Sequence, residues 1–267
     1  MPNSRYRSVF ISDIHLGSRA CQADAVCEFL KSHTCQNLYL VGDILDFWKL
    51  NRTVYWPQSH SNVIRRVLTA AKRGTRVRYA IGNHDENLRD WFPELTEIGN
   101  IEFANTFDHL TKDGQQLLVT HGDLFDGVIR YHKWLSHLGD RAYGALLWVN
   151  TWLNRIRRAL GQDYWSFSAY IKTNTKQAVA FVTDFEKFLC DHAREQDYRG
   201  VICGHIHSPA MRKIEDNFVY INTGDFCETV SAVVENFDGT FELLVWDTST
   251  NQMKTQHIWS PHEATIS

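Results

Sequence analysis

Five apolar segments of this chain each end in a cluster of Asp, His or Asn, and this repeated pattern constrains the fold more than any other feature. In chain order, the clusters are Ser12-Asp13-Ile14-His15, Gly42-Asp43, Gly82-Asn83-His84-Asp85, Thr120-His121-Gly122-Asp123 and Gly204-His205-Ile206-His207. A short apolar run that ends in turn residues is typical of a buried strand. Because the clusters lie far apart in the sequence, we expect several strands to deliver their side chains to one place.

The residue types at these strand ends indicate a pocket for two divalent metal ions. Carboxylate and imidazole ligands suit Mn²⁺, Fe or Zn²⁺, and we take Mn²⁺ as the expected metal. A pair of such ions acidifies a water and clamps phosphoryl oxygens, which is the chemistry of phosphate-ester hydrolysis. Asp43 is predicted to bridge the ions, because it follows its strand through one glycine. The predicted ligands are Asp13, His15, Asp43, Asn83, His121, His205 and His207.

Each cluster taken alone also has an ordinary structural explanation. Gly42-Asp43 is a common turn pair, and the two imidazoles of Gly204-His205-Ile206-His207 are compatible with a solvated loop. Short motifs of this kind carry false positives. Their occurrence together, in this order, favours the dimetal pocket over five unrelated turns.

His84 is predicted to act in catalysis, because it follows the ligand Asn83 and must project in another direction. An imidazole beside a phosphate can donate a proton to the leaving oxygen or bind a phosphoryl oxygen. Asn83 and His84 are therefore also candidate substrate contacts. Asp85 is predicted to fix the tautomer of His84. Asp46 and Asp123 either orient ligands or cap the turns that follow them.

The order of elements predicts an α+β fold. Strands alternate with helices up to about residue 81, where the apolar spacing predicts helices over Asp24–His33 and Asn62–Lys72. From about Glu102 onward the chain is mainly strands, with a strong hairpin signal at Asp238-Gly239. Two mixed β-sheets packed face to face with helices outside, a four-layer αββα sandwich, fit this count. We assign residues 1–126 and 195–267 to this core.

Residues 127–194 have no strand character and are predicted to form a helical insertion that acts as a lid. Their basic and aromatic helices suit an anionic membrane surface or a substrate with a diphosphate and an acyl chain. Alternatively, the aromatic residues pack onto the core, and Ser166 caps the helix that follows. The candidate substrate contacts in this insertion are Arg155, Arg158, Trp165, Ser166, Lys172 and Lys176.

Composition excludes some partners and indicates a compartment. The net charge of −3 gives no reason to expect a nucleic-acid partner. The six cysteines form no C-x-x-C pair, so we expect reduced thiols and a cytoplasmic protein. No secretory signal and no membrane-spanning apolar run is recognisable. The amphipathic insertion allows peripheral association with the inner face of the cytoplasmic membrane.

Taken together, the motifs Asp-x-His, Gly-Asp-x-x-Asp, Gly-Asn-His-Asp, His-Gly-Asp and Gly-His-x-His resemble the calcineurin-like metallophosphoesterase superfamily over essentially the whole chain. The resemblance implies that His84 is the acid that contacts the phosphate. It also implies two ligand sets that share Asp43. One set is Asp13, His15, Asp43 and His207, and the other is Asp43, Asn83, His121 and His205.

The insertion, including Phe125-Asp126-Gly127 and Tyr164-Trp165-Ser166, resembles the UDP-2,3-diacylglucosamine pyrophosphatase group of lipid A synthesis. This resemblance implies hydrolysis of UDP-2,3-diacylglucosamine to 2,3-diacylglucosamine 1-phosphate and UMP. The chain departs from that group at His84, where the group carries Arg, and the two side chains treat a diphosphate differently. A phosphodiesterase or nucleotidase for a soluble substrate therefore stays open, as does a catalytically silent metal-binding scaffold.

Overall fold

The computed structural model describes residues 4–92, 94–126, 175–215, 218–247, 249–250 and 252–260. The chain divides into two compact units. The first comprises Met1–His121 together with Asp197–Ser267, and the second comprises Gly122–Gln196. All seven predicted metal ligands belong to the first unit.

The larger sheet of the first unit has eight strands in the order β13-β12-β11-β1-β2-β3-β5-β4. Neighbours among β1, β2, β3 and β5 are parallel, and the other pairs are antiparallel. The strands are β1 (Ser4–Ile11), β2 (His33–Val41), β3 (Arg76–Ala80), β4 (Thr96–Ile98), β5 (Ile101–Ala104), β11 (Ser231–Glu235), β12 (Phe241–Asp247) and β13 (Gln252–Trp259).

Two helices cover one face of this sheet, α1 (Ala23–Ser32) and α3 (Gln58–Lys72). Val63, Val67 and Ala71 recur every fourth residue of α3 and are buried, because that spacing places them on one face of a helix. They join Val26 and Phe29 of α1 and the outward side chains of the strands in one apolar core. Two shorter helices, α2 (Phe47–Leu50) and α4 (Asn87–Trp91), follow β2 and β3.

The smaller sheet has five strands in the order β6-β7-β8-β10-β9. Its central strands β7, β8 and β10 are parallel, and the outer strands run antiparallel to their neighbours. The strands are β6 (Thr106–Leu110), β7 (Gln116–Thr120), β8 (Gly200–Cys203), β9 (Ala210–Glu215) and β10 (Phe218–Asn222).

The two sheets pack face to face through a second apolar core. Phe10, Tyr39 and Val233 contribute to it from the larger sheet, and Val119 and Ile202 contribute from the smaller one. The predicted α+β class with two mixed sheets is therefore confirmed.

In the second unit, a short 3-10 helix (Asp123–Phe125) and α5 (Thr175–Glu195) are described. The ring of Phe125 packs against Phe188 and His192 of α5. Within the described part of the chain, no helix combines the length and the apolar character that a membrane span requires.

Candidate metal centre

Parallel strands deliver the predicted ligands to one edge of each sheet, where their carboxyl ends meet. Asp13 and His15 follow β1, Asp43 follows β2, and Asn83 follows β3. The loops are joined to one another by backbone hydrogen bonds. The Asp13 amide donates to the Gly42 carbonyl (3.0 Å), and the His15 amide donates to the Asp43 carbonyl (2.9 Å).

The smaller sheet adds its ligands through the loops after β7 and β8. His121 follows β7, and His205 and His207 follow β8. The Gly204 amide donates to the His121 carbonyl over 3.2 Å, and the His205 amide donates to Oδ2 of Asp13 over 3.0 Å. These bonds bring the ligands of both sheets into one network.

Among the described residues, three groups of side chains are compact enough to hold a metal ion. One of them, His15, Asp46 and His84, contains a single predicted ligand, and the other two consist of predicted ligands only. In one group, ligand atoms of Asp13, His15 and His207 all lie within 4.8 Å of one another. Nε2 of His207 lies 3.1 Å from Oδ1 of Asp13 and 3.3 Å from Nε2 of His15.

The other group contains Asp43, His121 and His205, whose ligand atoms also lie within 4.8 Å of one another. Nε2 of His121 lies 3.3 Å from Oδ2 of Asp43 and 3.2 Å from Oδ1 of Asn83. Nδ1 of His121 lies 2.9 Å from the carbonyl of Val41. A bond donated from Nδ1 fixes the tautomer and leaves Nε2 as the ligand atom.

Asp43 lies between the two groups. Its Oδ2 is 3.3 Å from Nε2 of His121 in the second group and 3.9 Å from Nε2 of His15 in the first. One carboxylate therefore faces both sets of imidazoles, which is the position that a ligand shared by two ions requires.

The carboxylate of Asp13 shows that the residues fit a cation. Oδ2 accepts hydrogen bonds from Ser12 and from the His205 amide. Oδ1 is buried and has no hydrogen-bond partner. Burial raises the pKa of Asp13, but His207 and His121 outweigh that effect and hold its pKa at about 2. An ionised, buried carboxylate oxygen that lies 3.1 Å from the imidazole nitrogen of His207 suits a divalent metal that both groups could bind.

The backbone of the site adopts left-handed conformations that non-glycine residues seldom take. Positive φ angles occur at five predicted ligands, namely Asp13 (51°), His15 (54°), Asp43 (55°), His205 (72°) and His207 (51°). Such conformations cost about 1–3 kcal/mol each and concentrate at functional sites. The surrounding hydrogen bonds therefore hold the ligand loops in shapes that local preference opposes.

Gly82 is required where the loops after β2 and β3 approach each other. A Cβ added there would lie 2.6 Å from the backbone nitrogen of Asp43 and 2.9 Å from Cδ2 of His121. The absence of a side chain allows the loop that carries Asn83 to reach the loop that carries Asp43.

Three neighbours hold His84 at the edge of this centre. Nδ1 lies 3.0 Å from Oδ1 of Asp46, and the ring lies against Trp48 with 3.8 Å between centroids. The ring of His15 meets the ring of His84 edge-on, with 4.5 Å between centroids.

Burial lowers the pKa of His84, but Asp43 and Asp46 shift its pKa upward overall. Nε2 lies 3.9 Å from Oδ2 of Asp43, so this nitrogen faces the centre.

The partner of His84 differs from the expected one, because Asp46 takes the position that the sequence indicated for Asp85. The carboxylate of Asp85 instead accepts bonds from the amides of Ile44 (2.9 Å) and Gly82 (2.6 Å) and from the hydroxyl of Tyr79. Asp85 thereby fastens the loop after β2 to the loop after β3. Asp46 also caps α2 by accepting from the Lys49 amide over 2.9 Å, so both roles weighed for it occur together.

The remaining predicted contacts are not placed. Arg155, Arg158, Trp165, Ser166 and Lys172 lie outside the described residues. Lys176 belongs to α5, and the position of its side chain is not described. Trp48 was not among the predicted site residues, although a tryptophan two residues after Asp46 and close to the predicted ligand Asp43 was a visible signal.

Comparison with known proteins agrees with this geometry. The family model for calcineurin-like phosphoesterases matches residues 6–209. A protein of Haemophilus ducreyi named UDP-2,3-diacylglucosamine hydrolase is 27% identical, over 88% of this chain and 98% of its own length. A Shewanella protein of the same name is 23% identical, over 91% of this chain and all of its own length.

A solved structure shows the same fold. Vps29 of Chaetomium thermophilum gives a TM-score of 0.50 at 7% identity, covering 96% of this chain and 95% of its own. The predicted assignment to metal-dependent phosphoester hydrolases is confirmed by the family match, and membership implies divalent metal ions as cofactors. From the strand ends, the ligand groups and the family model together, it follows that this chain belongs to the calcineurin-like phosphoesterase family.

Proposed function

We propose that this protein hydrolyses the diphosphate of UDP-2,3-diacylglucosamine to 2,3-diacylglucosamine 1-phosphate and UMP, using two Mn²⁺ ions. The observation that carries the chemistry is the position of Asp43. Its carboxylate lies between a group with His15 and a group with His121, at 3.9 Å and 3.3 Å.

The seven side chains divide into two ligand sets around that carboxylate. Asp13, His15 and His207 would hold one ion with Asp43, while Asn83, His121 and His205 would hold the other. When bound, such a pair activates water and offsets the charge that builds up on the phosphoryl group. The amide oxygen of Asn83 adds a ligand without adding negative charge, which favours binding of an anionic substrate.

His84 is the group that handles the proton of the leaving oxygen. With Nδ1 held by Asp46, the opposite nitrogen faces the centre and is placed to donate a proton or to bind a phosphoryl oxygen. The raised pKa of His84 favours the protonated form that an acid needs.

The lipid nucleotide is supported by the relatives and by the insertion. Two relatives that align over most of their length bear the name UDP-2,3-diacylglucosamine hydrolase. We assign residues 127–194 the role of a lid that binds the acyl chains through its aromatic and basic side chains. An enzyme of this kind would work in the cytoplasm, attached peripherally to the inner face of the membrane.

A soluble phosphodiester or nucleotide is the second candidate, and His84 favours it. A histidine presents a single proton donor at the position where the lipid pyrophosphatases carry Arg, which binds phosphate through two donors. For a soluble substrate, neither detergent nor acyl chain length would affect turnover.

The test compares two substrates with one metal-loaded preparation. Purified protein with Mn²⁺ is assayed for UMP release from UDP-2,3-diacylglucosamine and for p-nitrophenol release from bis-p-nitrophenyl phosphate. Release of UMP supports the lipid substrate. Hydrolysis of the small diester without UMP release refutes the lipid substrate and leaves the phosphodiesterase.

An Asp43→Asn variant serves as the control for contaminating activity, because it removes the shared carboxylate. Inactivity of the metal-loaded protein on a broad panel of phosphoesters would refute catalysis and favour the scaffold. Metal content measured on the same samples shows that the ions were bound.

A further inference from the structure

Trp48 is held against the imidazole of His84. The two ring centroids are 3.8 Å apart, and the ring planes are inclined by 34°. Trp48 belongs to the short helix α2, whose first capping residue, Asp46, contacts Nδ1 of the same imidazole at 3.0 Å. One segment of three residues therefore contacts His84 both at a ring nitrogen and at a ring face.

The two contacts restrict different motions of the imidazole. A hydrogen bond at Nδ1 fixes that atom but leaves the ring free to swing about it, which would move Nε2 out of the centre. A flat aromatic side chain against the ring face opposes that swing. The edge of His15 at 4.5 Å limits the remaining side. The direction of Nε2 thus depends on Trp48 as well as on Asp46.

The neighbouring side chain shows that α2 has a separate residue for core packing. Phe47 packs against the apolar core beneath the larger sheet. Trp48 is partly buried and its ring lies on His84. Phe47 therefore serves core packing, whereas the ring of Trp48 contacts His84 at the edge of the metal centre.

We propose that Trp48 is a positioning residue that holds the ring plane of His84 in the orientation needed for proton transfer. The inference rests on the proposed function, in which His84 serves the leaving oxygen. It predicts that Trp48 acts on turnover only through His84.

The test is a double-mutant cycle with Mn²⁺ on diphenyl phosphate, because its phenolate leaving group is basic enough to need a proton, which p-nitrophenolate does not. His84→Asn is expected to lower kcat about a hundredfold, as loss of a general acid does. Trp48→Leu is expected to lower kcat about tenfold with little change in KM, because the acid is misplaced. Trp48→Phe, which keeps an aromatic face, is expected to restore most of the rate. In the His84→Asn background, Trp48→Leu should cost nothing further.

Independent effects would overturn the inference. If Trp48→Leu lowers kcat by the same factor with and without His84, then Trp48 acts by another route. Trp91→Leu, the same change at an exposed tryptophan of α4, is the matched control and should leave kcat unchanged. Melting temperatures of all variants identify any loss that comes from unfolding.

A second measurement needs neither activity nor metal. In protein labelled at histidine Cε1, the His84 proton resonance, identified by its loss in His84→Asn, should be shifted upfield by the indole. Trp48→Leu should remove that shift, and Trp91→Leu should not. An unchanged His84 resonance in Trp48→Leu would refute the contact. A wild-type protein that hydrolyses neither the diester nor UDP-2,3-diacylglucosamine would refute the proposed function, while this resonance would still decide the role of Trp48.

Discussion

The buried carboxylate of Glu235 connects the two sheets, and its removal gives a prediction with a defined size. Glu235 lies on β11 in the larger sheet and is fully buried. It accepts bonds from Arg7 (2.6 Å and 2.7 Å) and Ser8 (2.8 Å) on β1, and from the Lys112 amide (3.0 Å). It also accepts from Nε2 of His109 (3.0 Å), which lies on β6 of the smaller sheet.

Glu235→Gln keeps the shape of the side chain and removes its charge. The new amide hydrogens would face groups that already donate, so at least one donor loses its partner. Breaking a buried ion pair costs about 3–5 kcal/mol. Because the Arg7 side chain is 22% exposed and can reach water, we expect the lower end, about 3 kcal/mol. For a domain of this size, that loss lowers Tm by about 6–12 °C.

The pH dependence of this loss follows from the pKa of Glu235. Burial raises that pKa, but hydrogen bonds from His109, Arg7 and Ser8 outweigh burial and lower it overall. A carboxyl group with a depressed pKa stabilises the fold above its unfolded pKa of about 4.3 and loses that contribution as the pH falls. The contribution that titration of Glu235 itself makes to the stability difference should therefore be constant from neutral pH down to about pH 5 and shrink below it.

His109 does not affect both proteins alike, because the Glu235 carboxylate raises the pKa of His109 and Glu235→Gln removes that effect. Below about pH 6.5 the variant should therefore lose more stability through His109 than the wild type does. Burial lowers the pKa of His109, so protonation favours the unfolded chain and both variants lose stability below about pH 6.5. Urea unfolding at several pH values measures the difference. Glu28→Gln, at an exposed pair with Lys31, is the control and should cost under about 0.5 kcal/mol. A loss at Glu235 no larger than this control, or a difference that varies with pH above about pH 7.5, where His109 is neutral in both proteins, would refute the reasoning.

Three further outcomes follow from the metal centre. Gly82→Ala should abolish binding of at least one metal ion, because the added Cβ would lie 2.6 Å from the backbone nitrogen of Asp43. Gly99→Ala, where the added Cβ meets open space, is the control and should keep the full metal content, as measured by elemental analysis. Mn²⁺ at about 100 times its Kd should stabilise the protein by about 2.7 kcal/mol, seen as a rise in Tm that EDTA reverses and that Asp43→Asn lacks. Asp46→Asn should lower kcat by about tenfold or more with intact metal content, because the uncharged amide is a weaker acceptor for Nδ1 and no longer raises the pKa of His84. Unchanged kcat would show that the charge of Asp46 does not serve catalysis.

The pattern of apolar residues in the sequence indicates the buried strands well and does not indicate an exposed edge strand. The strands Gln116–Thr120 and Phe218–Asn222 can be recognised from short apolar runs in the sequence, because most of their residues are buried and apolar. The edge strand Gln252–Trp259 was missed, since six of its eight residues are exposed and its sequence shows no apolar alternation. An edge strand has one neighbour, so its pairing depends on tertiary contacts that a local pattern does not contain.

The sequence predicted which residues form the site, but it did not predict which side chains in the site contact each other. All seven expected ligands meet, because the carboxyl ends of parallel strands share an edge. Asp46 and Asp85 both follow a ligand closely in sequence, and local spacing gave no reason to prefer Asp46 as the partner of His84. The pairing is made where the loops after β2 and β3 meet, and the left-handed turn at Asp43 (φ 55°) in the first of these loops is not revealed by the sequence at a non-glycine residue.

Two buried carboxylates of this protein show how a structural acid differs from a functional one. Both oxygens of Glu235 accept bonds from protein donors, so the charge is compensated within the fold and no ligand is required. Asp13 is equally buried, yet its Oδ1 has no hydrogen-bond partner and faces the imidazole of His207 at 3.1 Å. His207 and His121 keep this carboxylate ionised, and its Oδ1 is left for a ligand from outside the chain instead of being bound by several protein donors. That difference, rather than the presence of acidic residues as such, supports the strand-end cluster as a candidate metal centre.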